Sequence, residues 1–213
     1  MCLVSLSSIG GESNQLRFNK TDSADITVTE GIKDNCAEGN EKISRETLEG
    51  MIAAGNDVTG VCTSLITDMS RLFFQNKTFN QDISGWDVSN VVDFSVMFNA
   101  TDAFNQPLNN WDTSSAKKMN HMFAHAASFN QPLDNWNTSG VTTMASMFHS
   151  AKAFDQDISG WDTSQVTDFS YMLAWSKFSH DISKLNTSSA IQWYFFSNAN
   201  SLLPLAYIPS KFR

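Results

Sequence analysis

Two histidines four residues apart, His121 and His125, are the first arrangement in this sequence with the makings of chemistry. On a helical turn that spacing puts two imidazoles on one side, where they could share a metal ion. The residues between them are Met-Phe-Ala, without the Glu that a His-Glu-x-x-His helix uses as its base, and His149 and His180 offer no third ligand at a recognisable spacing. The carboxylates open to acid–base work are Asp82, Asp87, Asp112, Asp157 and Asp162, but they recur with a period instead of meeting at one singular place. No phosphate-cradling Gly loop, nucleophile elbow, D-x-[DN]-x-[DN]-G calcium loop or Cys-x-x-Cys pair is present. The sequence therefore assigns no catalytic residue, metal ligand or cofactor, and the expectation is a protein that is not an enzyme.

Charge narrows the partners. Acidic residues outnumber basic ones by 22 to 14, a net charge of −8, and the longest basic cluster is Lys117-Lys118. A nucleic-acid binder needs a basic stripe to release counterions, so nucleic acid is not an expected partner. No apolar run approaches the ~20 residues that span a bilayer. The start, Met1 to Ser8, has a short apolar stretch without the basic flank and length of a secretory signal, so either that export route is not used or the chain begins inside a longer one. Three cysteines, Cys2, Cys36 and Cys62, allow one bridge and one thiol; a Cys36–Cys62 pair and three ordinary thiols are both open. Asn-x-Ser/Thr sequons occur at Asn19, Asn76, Asn99, Asn137 and Asn186, of which Asn76 and Asn99 are the candidate glycosylation sites because they follow an apolar segment where a loop would expose them.

The elements that must position these residues are set by an internal period of 25. Phe79, Phe104, Phe129 and Phe154 are 25 apart, as are Trp86, Trp111, Trp136 and Trp161. Each Phe opens a phrase such as Phe104-Asn105-Gln106-Pro107-Leu108, and each Trp another such as Trp111-Asp112-Thr113-Ser114. An apolar pattern follows, Val91, Phe94, Met97 and Phe98 in one unit and Val141, Met144, Met147 and Phe148 in another. Its i, i+3, i+6, i+7 spacing predicts a short helix, while the Ile/Leu-to-Trp stretch predicts a short extended segment entered through a turn. A lone unit buries too few large side chains to offset the entropy of ordering it, so neighbouring units must stack. The Phe and Trp series is read as the core of that stack.

Three repeated features admit a functional reading beside a structural one. The Trp series could stack sugars, but its regularity favours core packing. The Asn80/Asn105/Asn130, Gln81/Gln106/Gln131/Gln156 and Ser64/Ser89/Ser114/Ser139/Ser164/Ser188 series could line a ligand stripe, but they suit inward ladders that satisfy backbone groups at bends. Thr113, Thr138, Thr163 and Thr187, with Val88 in the same place, could order water on an ice-binding face.

With these phrases in view, the chain resembles the BspA-like family of leucine-rich-repeat surface proteins, in the branch with a surface-protein repeat of about 25 residues. The resemblance rests on Phe79–Phe98, Phe104–Phe123, Phe129–Phe148 and Phe154–Leu173, with Thr63–Phe73 as the opening of the array. It implies an α/β solenoid, right-handed and leucine-rich-repeat-like, on a cell surface or secreted, with adhesion or recognition of a protein or glycan as its role. It carries over no functional residues. The expected organisation is an N-terminal extension over 1–42, either carrying one strand near Asp25–Thr29 or partly disordered, a capping helix and turn over 43–60, a solenoid of about five to six coils over 61–205 and a tail over 206–213. A structural, self-assembling spacer or coat component is the alternative function, with a glycan-active enzyme and an ice-binding protein more remote.

Overall fold

The computed structural model describes residues 36, 41–194, 196–197 and 203–213, all within one compact unit, Gly31–Arg213. The strand expected near Asp25–Thr29 lies outside the described residues. Among those residues the chain has one α-helix, α1 (Arg45–Ala53), and two 3-10 turns, Leu205–Tyr207 and Ser210–Phe212. Ser44 caps α1 by accepting the Thr47 N–H on its side chain. The helix ends where Gly55 takes φ +73°, with the Asn56 N–H returning to the Met51 carbonyl and the Gly55 N–H to Ile52. That is the left-handed stop that glycine permits at low cost. Leu48 is fully buried and Ile43, Met51 and Ile52 pack on the core, so the helix covers the open end of the first repeat.

Successive repeats lie side by side in parallel. Single parallel bridges link Asp68 to Asp93, Asp93 to Lys118, Lys118 to Thr143, Thr143 to Asp168 and Asp168 to Gln192. The bridges fall just after the Val91 position, in the segment expected to be helical, and not in the Ile/Leu-to-Trp stretch expected to be extended. The expected short helix in each repeat is absent. The chain from Phe94 to Thr101 is instead a ribbon of consecutive turns, and its N–H groups alternate between two destinations. Those of Met97, Asn99 and Thr101 bond three residues back, whereas those of Phe94, Val96, Phe98 and Ala100 donate to Lys118, Asn120, Met122 and Ala124 of the next repeat. A helix would keep all of them within the segment.

The helix is broken at residues with left-handed backbone. Val96 and Ala100 have φ of 65° and 57°, and the same two places recur as Arg71 and Gln75, His121 and His125, Ser146 and Ser150, and Tyr171 and Trp175. None is glycine, so each carries roughly 1–2 kcal/mol of local strain that the cross-repeat hydrogen bonds must hold. The apolar spacing is the same in a turn ribbon as in a helix, which is why periodicity alone points to the wrong element.

The core is a set of ring columns. Phe79, Phe104, Phe129, Phe154 and Phe178 stack at centroid distances of 5.8, 6.0, 6.2 and 6.3 Å. Phe73, Phe98, Phe123 and Phe148 form a second column at 5.4, 5.4 and 5.7 Å. The two columns meet within each repeat, as in the 4.2 Å Phe98–Phe104 pair. Trp111, Trp136 and Trp161 form a third at 6.4 Å per step. Each indole N–H donates to a carbonyl of the preceding repeat: Trp86 to Val58, Trp111 to Ile83, Trp136 to Leu108 and Trp161 to Leu133, at 2.8–3.1 Å. The tryptophans are thus buried and polar-satisfied at once.

The ends are closed by different means. In the interior, the Asp93 and Ser95 carbonyls accept N–H groups from Met69 and Arg71; the equivalent Asp68 and Ser70 carbonyls have no earlier ribbon, and Arg45 of α1 donates to both, at 2.8 and 2.5 Å. At the other end, 206–213, expected as a tail, folds back on the last repeat. Ile208 is buried, Phe212 packs on Phe169, Trp193 and Phe196, and Lys211 donates to the Thr187 and Ala190 carbonyls. The last repeat would otherwise leave that apolar side in water.

Two stability outcomes follow. Trp136→Ala should cost ~3–5 kcal/mol in chemical denaturation, and Trp136→Phe about 0.5–1.5 kcal/mol, because the Leu108 carbonyl loses the indole donor and keeps the Trp111 N–H. Ala100→Gly should raise the melting temperature by relieving left-handed strain, whereas Ala126→Gly, at a buried residue without positive φ, should lower it. Equal effects at the two alanines would contradict a left-handed backbone at Ala100.

Candidate ligand-recognition face

Most of the residues that suggest chemistry are used in construction. The carboxylates close turns on the residue two ahead: Asp82 accepts the Ser84 N–H, Asp87 that of Ser89, Asp112 that of Ser114, Asp157 that of Ser159 and Asp162 that of Ser164. Asn137 and Asn186, where the repeat exchanges Asp for Asn, do the same for Ser139 and Ser188. In Asp82, Asp157 and Asp162 these bonds stabilise the charged form. The side-chain and backbone groups of Ser84 hold Asp82 below the ordinary carboxylate value, and the backbone N–H groups of Ser159 and Ser164 do so first for Asp157 and Asp162.

The other ladders are also accounted for. Thr113, Thr138 and Thr163 are buried and donate to the Asn137, Asp162 and Asn186 carbonyls of the next repeat, so their hydroxyls form no water-ordering surface. Asn80, Asn105 and Asn130 accept the N–H of Asn105, Asn130 and Asp155 through their side-chain oxygens, and Gln106, Gln131 and Gln156 donate to the same atoms. They tie backbone as a ladder should, but along a partly exposed edge rather than inward. His180 stands in the Gln place and contacts the Asp155 carbonyl at 2.9 Å. The structure joins Cys36 and Cys62 in a disulfide. Asn76 and Asn99 are half-buried within the turn ribbon, and Thr101 of the second sequon is buried with its hydroxyl on the Phe98 carbonyl.

What remains is the outer surface of the ribbon, where the repeat stops repeating. One left-handed place reads Arg71, Val96, His121, Ser146, Tyr171; the other reads Gln75, Ala100, His125, Ser150, Trp175; between them run Phe74, Asn99, Ala124, His149, Ala174, with Ser146, Ala124 and Ala174 buried beneath their larger neighbours. His121 and His125 belong to no helix, and among the described residues no three His, Cys, Asp or Glu side chains are grouped to hold a metal ion. His125 instead meets His149 edge-on at 5.0 Å. His149 in turn sets its edge against Trp175 at 5.1 Å and Tyr171 at 6.1 Å, and Tyr171 and Trp175 lie 6.3 Å apart with planes 13° from parallel. Trp175 is 37% exposed, against 3–4% for the four tryptophans of the repeat. Lys152 donates to the Trp175 carbonyl at the rim. Sequence reasoning misses Tyr171, Trp175 and His149 as a group. The signal is present in their departure from the 25-residue pattern, but only the ribbon brings 149, 171 and 175 together.

Partial desolvation disfavours the charged forms of His149 and His121. Burial lowers the His149 pKa first, with His125, His121 and Lys152 adding positive neighbours. Burial also lowers that of His121, with the nearby Asp168 carboxylate opposing it.

The chain belongs to the family described as Mycoplasma protein of unknown function, DUF285, whose model matches residues 43–140 and again 117–204. Two overlapping matches along one chain are what a tandem repeat produces. No curated protein and no solved structure matches the chain. Among the described residues no helix is long and apolar enough to cross a membrane.

The signs of these shifts fix a pH profile. A histidine whose folded pKa is lowered makes the unfolded chain the better proton acceptor, so stability falls as pH drops below 6.5. Asp82, Asp157 and Asp162 contribute stability that is fully present above 3.8 and lost as pH falls through their lower folded values. Thermal melts should therefore decline in two steps. The double variant His121→Ala/His149→Ala should lack the first and keep the second; a single acidic transition in both proteins would contradict the assignment.

Proposed function

We propose that this protein is a non-enzymatic recognition module of the cell-surface type: a right-handed repeat solenoid related to leucine-rich repeats, as in BspA-like surface proteins. It presents its turn ribbon to a protein or glycan outside the cell. One observation carries this reading. Side chains that the stack does not require are concentrated on one face of successive repeats. The Trp175 place is filled elsewhere by Gln75, Ala100, His125 and Ser150, so packing does not demand a large ring there. An exposed ring in a strained backbone position, at a site that accepts alanine, points to selection for contact.

The competing readings fit the surface less well. A self-assembling spacer calls for flat, repetitive exposed faces, whereas the ribbon changes residue in every repeat. An ice-binding face needs its threonines in water, and Thr113, Thr138 and Thr163 are inside. A glycan-active enzyme needs two carboxylates free at one place, and the repeated aspartates are occupied in turns.

A glycan and protein array probed with the labelled chain tests the reading. The double variant Tyr171→Ala/Trp175→Ala should lose at least about tenfold in signal on the spots the parent binds, with little change in melting temperature. Asn110→Ala/Asn135→Ala, exposed on the invariant half of the repeat, should keep it. Loss in both variants, or in neither, would refute a recognition face on the ribbon.

A further inference from the structure

We infer that the rings of Tyr171 and Trp175, flanked by His149 and His125, form a carbohydrate subsite that stacks one pyranose ring of a neutral, β-linked glycan. The inference rests on the recognition reading above and names its ligand class.

Aromatic faces carry negative charge density, and the axial C–H hydrogens of an all-equatorial pyranose are weakly positive, so the two surfaces attract while the sugar hydroxyls stay at the rim. The geometry provides this combination. Tyr171 and Trp175 are nearly parallel, 6.3 Å apart, with Trp175 open to solvent. His149 braces both rings edge-on, which fixes their orientation before any ligand arrives. The imidazoles of His125 and His149, when neutral, each offer one N–H donor and one nitrogen acceptor, the mixed pairing that vicinal hydroxyls need. Lys152 adds an ammonium donor at the rim.

One other ring contact of the ribbon stands apart from this cluster. Arg71 lies over Phe74 at 4.3 Å, four repeats away along the stack. Tyr194, exposed, stands in the register place of Ser170, and its carbonyl accepts the Tyr171 N–H.

The test titrates the purified full chain with cellotetraose and with N-acetylchitotetraose, read by calorimetry and by tryptophan fluorescence. At least one should bind with Kd of about 1 mM or tighter, a range set by a shallow one-ring contact. Trp175→Ala should abolish that binding, Trp175→Phe should keep it within about tenfold, and His149→Ala should weaken it. Alanine already stands in this left-handed place at Ala100, so Trp175→Ala should fold and melt like the parent. No binding of either sugar at ~10 mM, or binding that survives Trp175→Ala, overturns the inference. If Tyr171→Ala/Trp175→Ala loses array signal while neither oligosaccharide binds, the ligand class is wrong and the recognition face stands. A protein ligand lost on Trp175→Ala, without any sugar binding, likewise overturns the carbohydrate assignment alone.

Discussion

Half of the N–H groups in the turn ribbon have no acceptor within their own repeat. Phe94, Val96, Phe98 and Ala100 must each find a carbonyl in the next unit, and Met119, His121, Phe123 and His125 in the one after. Buried backbone donors left unpaired would cost about 1–3 kcal/mol apiece, so no repeat is stable without a neighbour in register. That requirement fixes the parallel bridges and the ring-to-ring distances in the core. It also explains Arg45, whose guanidinium fork supplies the first ribbon with the donors that a preceding repeat would have provided.

The same requirement holds non-glycine residues in left-handed backbone. In a free peptide His121 or Tyr171 would leave φ near +57°. Within the stack their N–H groups are bound across the repeat, so the strained conformation persists. A consequence for function is that side chains at these places are carried on a backbone pinned from both sides. The core lies on the inner side of the ribbon, and the outer side is left to vary.

Legibility in the sequence differs by feature. The period of the Phe and Trp series is the period of the ring columns, because large side chains at a fixed interval must meet their own copies in a stack. Asp-x-Ser phrases are visible, but their role as side-chain turns is not, since Asp followed by Ser also occurs at helix starts. The ribbon reads as a helix because Val91, Phe94, Met97 and Phe98 satisfy both geometries, and no glycine marks the left-handed breaks at Val96 and Ala100. The candidate site is hidden for a related reason. His121 and His125 draw notice as a four-residue pair, whereas the contacts that matter link His125 to His149 and His149 to Trp175, across repeats that only the ribbon's register aligns.

The cross-repeat hydrogen bonds are the claim on which the rest depends, and amide hydrogen exchange measured residue by residue tests them most directly. In the central repeats the N–H groups of Phe94, Val96, Phe98, Ala100, Met119, His121, Phe123 and His125 should be slowly exchanging as one cooperative group, with protection declining toward the two ends of the array. Rapid exchange at Val96, Ala100, His121 and His125 alongside protected neighbours three residues on would mean that each repeat satisfies its own backbone, and the stacked arrangement would be wrong.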